Sequence, residues 1–168
     1  MRVFEKFYPD ETTDAVNTVD FRALMSRGFR GVAFDIDNTL VEHDMPATED
    51  SARLFRRIHE AGLRICLLSN NHEPRVKAFA EAAGADAYIF DAHKPNAEGY
   101  LRAAELLQVK REVLIFFGDQ LFTDIWGAKN AGVHSVLVKP VGPEKYFHIV
   151  LKRWLEKPVL LCYRMHNH

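Results

Sequence analysis

Five short apolar runs recur along the chain: GVAFDI (31–36), LRICLLS (63–69), AYIF (87–90), EVLIFFG (112–118) and HSVLVK (134–139). Each is near-continuous rather than alternating, the pattern of a strand covered on both faces, and such strands belong to parallel sheets. Segments of helical character separate them. ATEDSARLFRRIHEAG places Leu54, Ile58 and Ala61 on one face, with Thr48 or Asp50 as cap and Gly62 as stop. EPRVKAFAEAAG ends on Gly84, NAEGYLRAAELLQ turns Tyr100, Leu101, Ala104 and Leu107 inward, and LFTDIWGAKNAG ends on Gly132. Strands alternating with helices require βαβ units. The expected fold is therefore α/β, a three-layer Rossmann-like sandwich around a five-stranded parallel sheet.

A chain of 168 residues, 48% of them apolar, can bury one substantial core. The expected organisation is a single domain over 1–168: a lead-in at 1–28, a core at 29–140, and a C-terminal helix with a basic and aromatic tail at 141–168. The net charge of −1 argues against a nucleic-acid binder that relies on bulk charge. Cys66 and Cys162 make neither a disulfide framework nor a zinc site, and Cys66 inside RICLLS reads as a small buried hydrophobe. No signal-peptide pattern opens the chain, and no apolar stretch reaches the roughly 18 residues a bilayer requires. A cytoplasmic location is the expectation.

In doubly wound sheets, ligands bind beyond the carboxyl ends of the strands. Asp35 and Asp37 follow the first run, Ser69-Asn70-Asn71 the second, Asp91, His93 and Lys94 the third, and Asp119 and Asp124 the fourth. Any one of these clusters could be a capped turn. Four at one edge of the sheet read as an active site.

These residue types suit phosphoryl transfer. Asp35 and Asp119 can hold Mg²⁺, which prefers oxygen ligands. Asp35 and Asp37, two apart on an extended backbone, point to the same side, so one can attack phosphorus while the other serves the leaving oxygen. Ser69 can hydrogen-bond phosphate oxygens, with Asn70 beside it as a further candidate. Lys94, ahead of Pro95 at an expected helix start, adds a point charge at an anion site. His43, His72 and His93 read as rim residues, because an oxygen-rich site does not need imidazole.

DIDNT at 35–39, Ser69 in LLSNN, Lys94 in HKPN and GDQLFTD at 118–124 together resemble the haloacid dehalogenase superfamily of aspartate-nucleophile phosphatases. The resemblance covers about residues 28–140. It implies Asp35 as the nucleophile that forms an aspartyl-phosphate, and Asp37 as general acid and then base. It implies Thr39 as a positioning residue at the phosphate site, with Ser69 and Lys94 on the phosphate. Mg²⁺ would be held by the Asp35 carboxylate, the Asp37 carbonyl and Asp119, with Asp124 behind them or acting through water. About ten residues link Leu40 to the next helix and about 25 separate Ser69 from Lys94, too few for a cap domain. That is similar to the capless IIIA subclass.

Within the subclass, DNTLV, LLSNN, HKP and GDQLFTDIWGAK are most similar to the YqeG family, related to mitochondrial phosphatidylglycerophosphate phosphatases. The implied substrate is a lipid phosphomonoester at a membrane surface. The tail supports this, since Lys139, Lys145, Lys152, Arg153, Lys157 and Arg164 interleave with Tyr146, Phe147, Trp154, Leu160 and Tyr163. Peripheral contact with an anionic inner membrane face is thus the expected partner, and nucleic acid is not. A last helix packed on the sheet with a solvated basic face is compatible with that reading. The alternative is a capless phosphatase acting on a soluble, protein or nucleic-acid phosphomonoester. A receiver-type signalling domain is disfavoured by order: there the phospho-acceptor follows the third strand and the lysine the fifth. A member that binds without catalysis is disfavoured because every motif residue is present.

Overall fold

The structure is a computed structural model describing residues 2–167, so Met1 and His168, the outermost positions of the segments 1–28 and 141–168, lie outside the described residues. Six strands form one parallel sheet: β1 (Glu11–Thr13), β2 (Gly31–Phe34), β3 (Arg64–Leu68), β4 (Ala87–Ile89), β5 (Leu114–Gly118) and β6 (His134–Val138). Their spatial order is β1-β6-β5-β2-β3-β4. The chain winds outward from β2 through β3 to β4, then returns to β5 and winds the other way. β2 and β5 are therefore neighbours at the switch point, where a crevice opens beyond their carboxyl ends.

The sixth strand corrects the expected five. β1 pairs with β6 at the sheet edge over only three residues, Glu11, Thr12 and Thr13. Glu-Thr-Thr holds no apolar residue and Thr12 is exposed, so hydrophobic pattern does not reveal this strand. It is fastened by Asp10, whose carboxylate accepts from the Ser135 backbone N–H and hydroxyl, both at 2.9 Å.

Residues alternate between the faces of each strand. Val32, Phe34, Ile65, Leu67, Ile115 and Phe117 pack on α1 (Phe21–Ser26), α2 (Glu49–Glu60) and α3 (Glu73–Ala83). Ala33, Cys66, Leu68, Leu114 and Phe116 pack on α4 (Glu98–Leu106) and α5 (Trp126–Ala131). Phe34 stacks between Phe55 and Phe117 with ring centroids 5.7 and 5.3 Å away. Fully burying such a side chain contributes about 1.5–3 kcal/mol. Thr48 caps α2 by accepting the Ser51 N–H, and Gly62 and Gly84 take the left-handed conformation that ends α2 and α3.

Two expectations about α4 change. Leu101 points outward, 37% exposed, because Tyr100, Ala103, Ala104 and Leu107 already form the inward stripe at helical spacing. α4 also begins only at Glu98, so Lys94 does not sit at a helix N-terminus. A last helix, α6 (Phe147–His166), lies across the carboxyl edge of the sheet. Its Val159 and Leu160 pack on Leu121 and Ile125, in a cluster shared with Phe4, Phe7 and Tyr8 from the N-terminal segment.

Candidate active site

Asp35 follows directly on β2, and its backbone N–H still donates to Phe117 of β5. The chain then turns sharply: the Ile36 carbonyl accepts from the N–H groups of Thr39 and Leu40, and Asn38 takes a positive φ of 58°. Asparagine tolerates that conformation better than most residues. The turn brings Asp35 and Asp37 to one cavity of about 300 Å³, where Ser69, Asn70 and Lys94 join them from the ends of β3 and β4.

Lys94 Nζ donates to Asp35 Oδ1 at 2.8 Å and to Asp124 Oδ1 at 2.7 Å. What holds Lys94 is Asn70, whose amide accepts the Lys94 N–H at 2.8 Å and donates to its carbonyl at 3.3 Å. Asn70 thus spends both amide groups on the lysine backbone. The other oxygen of Asp124 accepts the N–H groups of Asp119 and Gln120, both at 3.1 Å. Ser69 Oγ accepts the Asn71 N–H. The Asp37 carboxylate is gripped by Arg75 at 2.7 Å, Asn71 Nδ2 at 2.5 Å and the Asp44 N–H at 2.8 Å.

Asp35, Asp119 and Asp124 each present a carboxylate oxygen within 4.8 Å of the others, all buried. The Asp37 carboxylate does not belong to this group. Thr39 lies behind the cavity rather than on it, with its hydroxyl donating to Asp119 Oδ1 at 3.2 Å. Asp119 and Asp124 likewise sit behind the cavity wall.

Burial pushes the Asp35 carboxyl up; Lys94 opposes this, Asp124 and Asp37 add to it, and the result is about 6. Burial, then Asp124 and Asp35, hold Asp119 well above the usual carboxylate range despite Arg153. Burial works against the Lys94 charge, but Asp124 and Asp35 outweigh it and keep its pKa raised. Three crowded acids, two of them sharing Lys94, make a hard, all-oxygen donor set that fits a small divalent cation.

Several residues of the site were not legible as such. Arg75 sits in the first turn of α3, where a cation opposes the helix dipole; that mismatch was the available signal of a partner. α6 supplies the rest. Tyr146, just before it, and His148, Ile149 and Lys152 on it line the cavity wall. Arg153, expected among outward-facing tail cations, turns inward instead and binds the Asp119 carboxylate and carbonyl, Glu144 and Glu156. Glu156 accepts the Leu121 N–H at 2.8 Å, and Lys145 donates to the His43 carbonyl. His43, expected at the rim, is buried on the cavity wall and pairs with Glu144 at 2.9 Å.

Gly118 has a specific steric role. A Cβ there would lie 2.5 Å from Asp124 Cβ and Cγ, because Asp124 folds back over the strand end. Gly118→Ala should therefore displace Asp124 from Lys94 and cost about 1–3 kcal/mol in urea denaturation. An unchanged midpoint would mean that Asp124 has room to move.

A family model described as haloacid dehalogenase-like hydrolase matches residues 43–132, which hold Ser69, Lys94, Asp119 and Asp124 and begin just after Asp35–Thr39. "Probable phosphatase YqeG" of Bacillus subtilis is 35% identical over 96% of this chain and 94% of its own. Phosphatidylglycerophosphate phosphatase 1 of Chlamydomonas reinhardtii is 31% identical over 84% of this chain and 56% of its own length. In fold, the chain is similar to the cobalt-bound deoxy-D-mannose-octulosonate 8-phosphate phosphatase of Haemophilus influenzae, at a TM-score of 0.52 and 15% identity, covering 81% of this chain and 90% of that one.

Proposed function

Because this chain belongs to the haloacid dehalogenase-like hydrolases and is a phosphoric monoester hydrolase, we propose that it acts through Asp35, with Mg²⁺, on phosphatidylglycerophosphate at a membrane surface. The observation that carries the reading is the joining, in one open cavity, of Asp35 and Lys94, which Asp124 holds from behind, with a wall made by α6.

Asp35, Asp119 and Asp124 would hold the cation, with the Asp37 carbonyl. When bound, it offsets acid–acid repulsion and draws charge from the phosphoryl oxygens. The chain's own groups do the rest. Asp35 Oδ attacks phosphorus, forming an acyl-phosphate bond as the ester P–O bond breaks. Asp37, held by Arg75 and Asn71, gives its proton to the leaving alkoxide. It then takes a proton from the water that cleaves the aspartyl-phosphate, releasing inorganic phosphate. Lys94 moves from compensating Asp35 to contacting the equatorial oxygens, where negative charge develops.

The lipid substrate is supported by the outer face of α6. Phe147, Leu151, Trp154, Leu155, Leu161 and Met165 are exposed there, Phe147 by 82% and Trp154 by 67%. Lys157 and Arg164 flank this stripe, a pattern suited to lying in an anionic interface. Among the described residues no helix is long and apolar enough to cross a membrane. Contact would therefore be peripheral.

Phosphate release from micellar phosphatidylglycerophosphate, beside a panel of soluble phosphomonoesters, tests this. Release should require added Mg²⁺ and favour the lipid by about tenfold or more, a difference of about 1.4 kcal/mol. Turnover confined to the soluble panel would remove the lipid, and full activity in chelator would remove the metal.

A further inference from the structure

The cations of this site are nearly all committed. Lys94 serves Asp35 and Asp124, Arg75 serves Asp37, Arg153 serves Asp119, Glu144 and Glu156, and Lys145 is bound to the His43 carbonyl. Lys152 is different. It lines the same cavity as Asp35 and Asp37, yet among the described residues it has neither a carboxylate nor a hydrogen-bond partner. His148 stands one helical turn before it and also faces the cavity, with Ile149 between them. The α6 wall of the cavity therefore carries a positive charge that, among the described residues, no carboxylate neutralises.

We propose that Lys152, with His148 beside it, is a subsite for a second anionic phosphate of the substrate, reading a phosphodiester or phosphate joined to the phosphomonoester that Asp35 attacks. This rests on the phosphatase reading above and deepens it: Lys152 is a specificity-determining residue. A lysine ammonium acts here as a point charge whose free donors and partial desolvation favour an anion over a neutral alcohol. Lys152 also borders the exposed apolar stripe. A ligand spanning Asp35 and Lys152 can therefore continue onto Leu151 and Leu155 if it carries acyl chains.

The test uses the full chain with Mg²⁺ and three substrates: glycerol 3-phosphate, glycerophosphoglycerol phosphate as a soluble ester with an added phosphodiester, and the acylated form of the latter in micelles. The quantity read is the ratio of kcat/KM for each ester that carries two phosphates to that for glycerol 3-phosphate. Lys152→Ala should lower that ratio about tenfold, mainly through KM; Lys152→Glu should lower it further, and Lys152→Arg should keep it. A ratio equal in wild type and Lys152→Ala would overturn the subsite, as would Lys152→Arg behaving like Lys152→Ala. A Lys152-dependent ratio on the soluble ester without preference for the micellar one would uphold the subsite and remove the lipid. Unchanged ratios with strong lipid hydrolysis would remove the subsite and leave the lipid reading standing.

Discussion

With Asp35 as the proposed nucleophile, Asp35→Asn should lose at least about 10⁴-fold in kcat while keeping its fold, because the amide cannot form the acyl-phosphate bond. The fold should survive because Lys94 keeps its bond to Asp124. A stability test makes this sharper. Asp35 titrates near 6 in the folded chain, above the ordinary carboxylate value near 3.8, so between those values the folded state binds the proton more readily than the unfolded one. Stability from this group therefore rises as pH falls through about 6 and levels off near 4. Metal-free Asp35→Asn should be at least as stable as the wild type at pH 7, and that advantage should fade on acidification. Substantial residual turnover would reassign the nucleophile; a variant that melts far below the wild type at pH 7 would mean that the carboxylate has a structural role.

The second large effect is expected at Arg153. Its guanidinium reaches the Asp119 and Glu156 carboxylates, both almost wholly buried, and Glu144 beside them. Arg153→Met should cost about 3–5 kcal/mol in denaturant unfolding, since truncating one partner leaves buried charge without compensation. Arg153→Lys should recover only part, because a compact ammonium cannot span three acids in the way a planar fork does. Mg²⁺ should restore more stability to Arg153→Met than it adds to the wild type, by supplying charge to Asp119. A loss below about 1 kcal/mol would place Arg153 among solvated surface pairs.

Much of the fold was readable because strands of a covered parallel sheet are mostly apolar, and five of the six strands hold a short apolar run. β1 carries none: an exposed edge strand of Glu11–Thr13 is held by backbone pairing and the side chain of Asp10. Leu101 shows the limit of helical periodicity at its margin, where one position of rotation separates inside from outside. The gathering of Asp35, Asp37, Ser69, Asn70 and Lys94 at one cavity was legible in spacing, since parallel strands deliver all their carboxyl ends to one edge. Its connections were not: Thr39 turns to Asp119, Asn70 holds the Lys94 backbone, and Arg75 reaches Asp37 from a neighbouring helix.

The sequence by itself determined the parallel sheet, the edge at which chemistry collects, and the acids and lysine assembled there, because each follows from local pattern and strand direction. Only the tertiary structure decided which charge meets which. α6 is the clearest case: composition gave its cations one basic and aromatic character, yet packing sends Arg153 inward to Asp119, leaves Lys152 on the cavity and exposes Trp154 outward. Adjacent positions on a helix differ by about 100° in direction, so their partners depend on how that helix is rotated against the sheet, which no local spacing specifies.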